Sequence, residues 1–195
     1  MPKKIGFQQQ LQKSLILKAQ SGDSLALETI YNTYKDACYN LAVRICGSSS
    51  LAQDIVQEVF IRVINKIKDF KYDGSFPGWV RKITANEIID HIRVENKLHL
   101  IQGIEPETYP SEDLFGIEWL NASIDIELLI SKLSSSSRAV LMLHELNGFT
   151  HKEIALMFHK SESFSKVTLS RAYSQLREIV TEPTRNGGVR HASNR

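Results

Sequence analysis

The sequence predicts an all-α protein of two small helical domains joined by an acidic flexible linker. Three observations indicate this fold class. Apolar residues recur at helical spacing through the first half of the 195-residue chain, residues 133–180 have the pattern of a helix-turn-helix, and the segment between them is acidic without sustained periodicity. The expected bounds are 10–96 for the first domain, 97–124 for the linker, 125–182 for the second domain and 183–195 for a basic flexible tail.

Start and stop signals place the first two helices. We predict a helix over 11–20, then a break at Gly22 and an N-cap at Asp23, because an aspartate side chain can accept hydrogen bonds from free backbone N–H groups. A long helix follows over 24–46. Gly47 is placed to end it in the left-handed conformation.

A third helix opens at Ser50, which forms a capping-box pattern with Gln53, and it extends to about residue 68. Its predicted core stripe consists of Ile55, Val56, Val59, Phe60, Val63, Ile64 and Ile67. The other side of the helix is predicted to present Asp54, Gln57, Glu58 and Ile61. An exposed isoleucine beside two carboxylates indicates a protein-binding surface, although a solvated acidic face explains the same row.

Turn residues and three aromatics predict a loop over 69–77, followed by a helix over about 77–95. A polar face of this helix is formed by Lys82, Asn86, Asp90 and Arg93. A basic helix edge beside an aromatic loop is typical of proteins that hold single-stranded bases. The alternative is that Phe70, Phe76 and Trp79 belong to the core, which is the interpretation we prefer for Trp79.

Charge is distributed unevenly along the chain. Residues 97–131 contain seven acidic residues and one basic residue, whereas the flanking domains are mildly basic. The prolines and glycines of this segment favour a linker. Because each phosphate contact needs a cation, the weak basicity of the domains predicts poor DNA affinity for the chain alone. We therefore expect a partner to supply the remaining affinity.

The helix-turn-helix pattern follows a helix expected over 136–147, which the serines at 134–137 can cap and Gly148 can end. Thr150 and Glu153 form a capping box that opens the next helix. A short polar turn over 159–161 then leads to a last helix over about 162–180.

The last helix has two different faces. Its predicted buried side consists of Val167, Leu169, Tyr173, Leu176 and Val180. Its other face, with Ser163, Lys166, Ser170 and Arg171, offers donors that suit phosphate oxygens and base edges in a major groove. Three amphipathic helices also form a small bundle without any role in DNA binding, and that alternative remains open at this point.

Composition and motif content exclude several classes. The 42% apolar and 24% charged fractions argue against disorder. We expect a cytoplasmic chain without membrane insertion, because no apolar run approaches the roughly 18 residues of a membrane span and residues 1–10 lack a signal peptide's apolar centre. Cys38 and Cys46 are expected to be buried small hydrophobes. We expect no cofactor and no metal site, and an enzyme is the least favoured class, because the sequence has no catalytic triad pattern or phosphate loop.

Two sets of motifs occur in order along the chain. Residues 52–60 read AQDIVQEVF, and they are followed by GSF at 74–76 and by WV at 79–80. The second set is GFT at 148–150, EIA at 153–155 and SRA at 170–172. Together with Ile83, Asn86, Asp90 and Arg93, these motifs resemble bacterial extracytoplasmic-function (ECF) sigma factors of the sigma-70 family, over about residues 10–182. A generic helix-turn-helix regulator would not contain the first set.

The resemblance implies an initiation subunit of RNA polymerase, with a region 2-like bundle and a region 4-like helix-turn-helix. It assigns polymerase core binding to Asp54, Gln57, Glu58 and Ile61. Melting of the minus-10 element and capture of an extruded base are assigned to Phe70, Lys71, Tyr72, Ser75, Phe76, Lys82, Asn86 and Arg93. Reading of the minus-35 element is assigned to Ser163, Phe164, Lys166, Val167, Thr168, Ser170 and Arg171. The implied partners are the polymerase core through its β′ coiled coil and β subunit, promoter DNA, and an anti-sigma factor or other regulator.

The recognition helix departs from the family pattern. Thr168 stands where relatives commonly have arginine, and His159 replaces the common glycine of the turn, so we expect a different upstream sequence. Two other classes explain part of the chain. A helix-turn-helix regulator that binds its operator without polymerase explains the second half. An anti-sigma factor or other polymerase-binding protein explains the first half but not the basic recognition face.

Overall fold

The structure is a computed structural model that describes residues 6–102 and 121–181. These ranges are helical, which confirms the all-α prediction. The helices are α1 Lys13–Gln20, α2 Ser24–Cys46, α3 Ser49–Lys66, α4 Phe76–Gln102, α5 Asn121–Ser131, α6 Ser135–Leu141, α7 His151–Phe158 and α8 Glu162–Thr181. A 3-10 turn, Ile67–Asp69, follows α3, and a π-helical turn, Met142–Leu146, follows α6. The proposed basic tail lies outside the described residues, as does most of the predicted linker.

Local capping residues set the ends of α2 and α3. The Asp23 side chain accepts a hydrogen bond from the Ala26 N–H, and Gly47 ends α2 with a φ of 73°, both as predicted. The start of α3 differs from the prediction. Ser48, not Ser50, is the N-cap, because the Ser48 hydroxyl accepts the Leu51 N–H at 3.3 Å.

Helix α4 extends past its predicted end at residue 95 and continues to Gln102, into the segment predicted as linker. Residues 97–102 contain no glycine or proline, and their leucines and lysine are good helix formers, so the helix propagates to the residue before Gly103. On α3, the predicted core residue Ile64 is instead half exposed. Its position on the helix turns it away from α2 and α4.

The first domain is a bundle in which α2, α3 and α4 pack against one another. Its fully buried side chains include Tyr34, Ile55 and Ile88. The Tyr34 hydroxyl donates to the Gln9 carbonyl at 2.6 Å, which ties the segment before α1 to the bundle. Burial raises the pKa of the Cys38 thiol to about 12, so this cysteine is a small core residue, as expected.

The second domain packs α6 and α7 against α8. Ser134 caps α6, and Thr150 and Glu153 form the predicted capping box at α7. Helix α6 is shorter than predicted because the chain changes to a π-helical turn at Met142 before Gly148 ends the segment with a φ of 68°. His159 ends α7 in the left-handed conformation with a φ of 53°, a backbone position that usually favours glycine.

The two domains contact each other directly. Helix α4 packs against α6 and α7, and α2 packs against α6. Across the described ranges, 6–102 and 121–181, none of the helices combines the length and the apolar character that crossing a membrane requires.

Candidate nucleic-acid interface

An acidic row lies on the outer face of α3. Asp54, Gln57, Glu58 and Ile61 are all exposed, and Ile61 retains 56% of its accessible surface. Their spacing of three, one and three residues places them on one side of the helix. Ile55 and Val59, on the opposite side, are fully buried. The arrangement predicted from the sequence is therefore present as a continuous surface.

An ion-pair network behind this row connects α3 to α4. The Arg62 guanidinium pairs with Glu87, donating from Nη2 to Oε1 at 3.1 Å, and lies 3.4 Å from the Asp90 carboxylate. Arg93 donates to the other oxygen of Asp90 at 3.0 Å. Burial raises the pKa of Glu87, and the adjacent Arg62 opposes that shift. Arg93, a predicted strand contact, is thus engaged in an intradomain pair.

Two of the aromatic residues predicted to hold a base are core residues. Phe70 and Phe76 are only 5% and 3% exposed. Their ring centres are 5.2 Å apart, and each lies 5.5 Å from the ring of Trp79. A buried ring has no free face, so Phe70 and Phe76 cannot stack on a base in this conformation. The prediction for these two side chains is corrected, because loop position by itself does not show whether an aromatic faces solvent.

Tyr72 remains accessible at the tip of the loop. It has a φ of 62°, and its hydroxyl donates to the Gln20 side chain at 3.3 Å. The ammonium group of Lys13 lies 4.9 Å from the Tyr72 ring centre. Sequence reasoning did not select Lys13 or Gln20, because both are more than fifty positions from Tyr72, the residue that they contact.

The other residues of the candidate single-strand surface lie in the loop and on α4. Lys71, Ser75 and Lys82 are exposed, and Asn86 is half-buried on the same helix as Lys82. The Ser75 hydroxyl also accepts the Gly78 N–H at 3.2 Å, so it helps to start α4. These residues offer cations, an amide and one accessible ring, which are the groups that hold a single-stranded backbone and stack on its bases.

The recognition helix, α8, exposes most of the residues predicted to contact duplex DNA. Exposed members of that set are Ser163, Lys166, Val167, Ser170 and Arg171. Phe164 is half-buried, with its ring centre 5.3 Å from that of Phe158. Thr168 is buried, which removes it from the surface that could reach a base.

The buried stripe of α8 lies in a different register from the predicted one. Its inward positions are Ser165, Thr168, Leu169 and Ala172. Three residues predicted to be buried are exposed: Val167, Tyr173 and Val180. The inward side of α8 thus combines the small residues Ser165 and Ala172 with Leu169, whereas the larger Tyr173 remains exposed.

A side-chain contact connects the two helices of the helix-turn-helix. His151 Nδ1 and the Ser165 hydroxyl are 3.0 Å apart, and the His151 ring is stacked on His144 with centres 4.1 Å apart. Burial and the charges of His144 and Lys166 lower the pKa of His151, so the ring is neutral near pH 7. Sequence reasoning missed this contact, since a serine at 165 gave no local signal of burial.

Comparison with known proteins identifies both domains. Residues 30–98 match the family model described as Sigma-70 region 2, and residues 123–176 match the one described as Sigma-70, region 4. The chain belongs to the sigma-70 family. The acidic row of α3 and the edge of α4 lie in region 2, and the recognition helix lies in region 4.

Three similar curated proteins are ECF RNA polymerase sigma factors. The chain is 27% identical over 173 residues to the ECF RNA polymerase sigma factor SigE of Mycolicibacterium smegmatis, covering 83% of this chain and 65% of that protein. It is 25% identical over 178 residues to BldN of Streptomyces coelicolor, covering 88% and 66%. It thus spans slightly less than two thirds of these two relatives. Against SigW of Bacillus subtilis it is 27% identical over 190 residues, covering 87% of this chain and 97% of that protein.

Two solved structures share the fold. One is CnrH in complex with the cytosolic domain of CnrY, with a TM-score of 0.51 and 21% identity over 86% of this chain and 95% of that chain. The other is the sigma factor RpoE of Bartonella quintana in complex with the anti-sigma factor NepR, with a TM-score of 0.52 and 20% identity over 78% and 95%.

Proposed function

We propose that this chain is an ECF sigma factor that binds the core of RNA polymerase and directs initiation at promoters with particular minus-10 and minus-35 elements. One observation carries the proposal: a single chain contains an exposed acidic row in region 2 and an exposed basic recognition helix in region 4. A protein that only binds an operator needs the second feature and has no use for the first.

Polymerase core binding is assigned to the acidic row. Asp54 and Glu58 offer two carboxylates one helical turn apart, and Ile61 adds an exposed apolar group at the end of the same face. Such a surface suits a partner helix with basic side chains around an apolar contact. We propose that this partner is the coiled coil of the β′ subunit, with the β subunit contacting the chain elsewhere.

Opening of the minus-10 element is assigned to the loop tip and the edge of α4. Lys71 and Lys82 would meet the strand backbone, and Tyr72 offers the ring on which an unpaired base can stack. Extruding a base costs a few kcal/mol, so a surface that receives only the correct base turns this cost into selectivity. The buried rings of Phe70 and Phe76 hold the loop in place from below.

Reading of the minus-35 element is assigned to α8. Lys166 and Arg171 are exposed on this helix, whose serines at 163 and 170 add hydrogen-bonding groups that suit the major groove. The helix is held against α7 by the His151–Ser165 contact, which fixes the direction in which these side chains point. We assign the chain no catalytic role, and we propose an anti-sigma factor or similar regulator as a further partner and the cytoplasm as its location.

Transcription with purified polymerase core on a promoter library tests the proposal. We expect promoter-specific transcripts only when the chain is added. Asp54→Lys with Glu58→Lys should weaken core binding at least tenfold while the fold is kept, since exposed substitutions alter stability little. Glu28→Lys, an exposed charge reversal on α2, is the control for reversing a carboxylate outside the acidic row. Specific, tight operator binding by the chain alone, without transcription, would instead favour the operator-binding regulator.

A further inference from the structure

Helix α1 packs against the 3-10 turn that leads into the loop proposed to receive an extruded base. Its residues Ile16 and Ala19 are only 3% and 2% exposed, so buried side chains fix the helix on the bundle. The helix precedes residues 30–98, the part of the chain that matches Sigma-70 region 2. A rigid element outside the matched residues therefore adjoins the loop that lies within them.

Gln20, the last residue of α1, makes three hydrogen bonds to this part of the chain. Its Nε2 atom donates to the Ile67 carbonyl at 2.9 Å and to the Phe70 carbonyl at 3.0 Å. Its Oε1 atom accepts the Tyr72 hydroxyl at 3.3 Å. Because a backbone carbonyl can only accept, the amide nitrogen must face the two carbonyls and the amide oxygen is left for the hydroxyl. The partners of Gln20 thus fix the orientation of its side chain.

The tip of the loop has little support from its own backbone. Among the described residues, no backbone–backbone hydrogen bond involves residues 71–74. Tyr72 has a φ of 62°, in the left-handed region that residues with a Cβ rarely adopt. Such a conformation persists where the surrounding structure holds it. The bonds from Gln20 supply hydrogen-bonding contacts of this kind, and they come from another helix.

The Tyr72 side chain is also placed by its neighbours. Its ring centre lies 4.9 Å from that of Phe70, with 59° between the ring planes, and 4.9 Å from the ammonium group of Lys13. The bond from the hydroxyl to Gln20 fixes the far end of the side chain. Tyr72 is half-buried, so part of its surface stays open to solvent. A side chain that is already ordered loses less conformational freedom when a ligand binds to it.

We propose that Gln20 is a positioning residue for base capture at the minus-10 element. It holds the loop backbone and the Tyr72 side chain in the arrangement that receives the extruded base, and it contacts no DNA itself. This inference rests on the proposed function, which assigns stacking of that base to Tyr72. A change at Gln20 then weakens the part of the affinity that depends on the base, and it spares the part that depends on the strand's phosphates.

Binding of holoenzyme to two single strands separates these parts. Each full-length variant is assembled with polymerase core and titrated with the fluorescein-labelled non-template strand of a minus-10 element from a promoter active in the library assay. The second strand is identical except for an abasic site, placed where loss of the base weakens the unaltered holoenzyme most. We call the ratio of the two dissociation constants the base factor. Both strands have the same phosphates, so a change of folded fraction or of charge alters both constants and leaves their ratio unchanged.

The unaltered holoenzyme should have a base factor of roughly five- to a hundredfold, as expected for one stacked base. Gln20→Leu removes all three bonds at similar side-chain size, and we expect the base factor to fall by roughly two- to tenfold. Gln20→Glu keeps an acceptor for the Tyr72 hydroxyl but places a carboxylate against the two carbonyls, so it should act in the same direction. Tyr72→Phe keeps the ring and removes one bond, and its decrease should be smaller.

Gln12→Leu is the matched control. Gln12 is the exposed N-cap residue of α1, and its side chain makes no capping hydrogen bond, so the same replacement there should leave the base factor unchanged. Helical content and thermal unfolding of each variant show that it is folded. If a change at Gln20 prevents folding, Tyr72→Phe decides by itself, because it leaves both carbonyl bonds in place.

Three results would overturn the inference. One is an unchanged base factor in folded Gln20→Leu and Gln20→Glu. Another is an unchanged factor in Tyr72→Phe, since the hydroxyl bond would then not place the ring. The third is a large factor that survives Tyr72→Ala, since the base would then stack elsewhere. Transcription by the unaltered chain is scored separately: its failure would count against the proposed function, and its success beside any of the three results would remove the role of Gln20 alone.

Discussion

Arg62 on α3 and Glu87 on α4 form an ion pair in which the carboxylate is buried and the guanidinium is 39% exposed. The pair connects the helix proposed to bind polymerase with the helix proposed to bind the opened strand. Asp90 extends it to Arg93. The relative position of the two working surfaces of region 2 therefore depends on an electrostatic contact as well as on the apolar core.

Removal of the Arg62 side chain should leave the buried Glu87 carboxylate without its ion-pair partner and so destabilise the folded state. We expect Arg62→Ala to lower the free energy of unfolding at pH 8 by about 1–3 kcal/mol, less than for a fully buried pair because Arg62 is partly solvated. A carboxyl whose pKa is raised in the folded state binds a proton more tightly there than in the unfolded chain, so stability falls as pH rises through the folded pKa. The loss in free energy of unfolding caused by Arg62→Ala should therefore be smaller at pH 5 than at pH 8, as measured by urea denaturation. In a chain that also carries Glu87→Gln, the loss caused by Arg62→Ala should no longer depend on pH. If it were still smaller at pH 5, the pH dependence would come from another group.

The capping box of α7 should contribute measurable stability. Thr150→Ala removes an acceptor for the Glu153 N–H and a donor to the Glu153 carboxylate, and we expect a loss of about 1 kcal/mol in thermal unfolding. Because the pKa of Glu153 is lowered in the folded state, its contribution is present above the unfolded pKa of about 4.3 and is lost as pH falls further. Glu153→Gln should remove that part of the acid sensitivity. An identical acid profile in this variant would contradict the assignment.

The left-handed residue that ends α7 offers a stabilising substitution. His159 has a φ of 53°, where a residue with a Cβ is strained by about 1–2 kcal/mol. His159→Gly should raise the free energy of unfolding by about 0.5–1 kcal/mol after the added entropy of the unfolded chain is subtracted. Gly148→Ala is the reciprocal control: its φ is 68°, a new Cβ would meet no atom within 4 Å, and only the backbone strain should appear. Destabilisation by His159→Gly would show that the imidazole itself stabilises the turn.

An intrahelical ion pair should restrain duplex recognition. Lys166 Nζ lies 2.7 Å from the Glu162 carboxylate one turn earlier on α8. Glu162→Gln frees the lysine and removes a negative charge from the DNA-facing side, so holoenzyme should bind the upstream duplex more tightly. Lys166→Ala should weaken binding of the holoenzyme to the upstream duplex. The loss should be about 1–3 kcal/mol if Lys166 makes a bidentate base contact, and it should depend on salt if Lys166 contacts only phosphate. Gel shifts at several salt concentrations, with Glu28→Gln as the neutralising control, measure both. Weaker binding by Glu162→Gln would be inconsistent with this role.

Local signals were reliable where the deciding groups are near in sequence. Helix α2 has the predicted bounds, because Asp23 and Gly47 satisfy its terminal backbone groups within a few residues. The capping box of Thr150 and Glu153 and the left-handed Gly148 were also predicted. At α3 the prediction was displaced by two residues, since Ser48 and Ser50 are chemically equivalent caps and only the packed helix selects one of them.

Predictions about which residues face solvent were less reliable. Thr168 was expected on the surface of α8, and Val167 was assigned both to the buried stripe and to the DNA contacts, but α8 packs against α6 and α7 with Thr168 buried and Val167 exposed. Phe70 and Phe76 were expected to hold a base, but they complete the core beneath the loop. In each case the segment has more than one face that is apolar enough to be buried. The helices against which the segment packs decide which of these faces is buried.

The sequence by itself determined the helical class, the caps of α2 and α7 and the order of two family regions, because these depend on residue types within one or two helical turns. It also determined the acidic row of α3, whose exposed side follows from a clear apolar stripe opposite it. Only the tertiary structure decided that Lys13 supports Tyr72, that Arg62 pairs with Glu87 and that Arg81 faces Phe149. Those pairs are 25 to 68 positions apart along the chain. These contacts arise from how the helices pack, and no local pattern of residues shows which positions so far apart in sequence will meet.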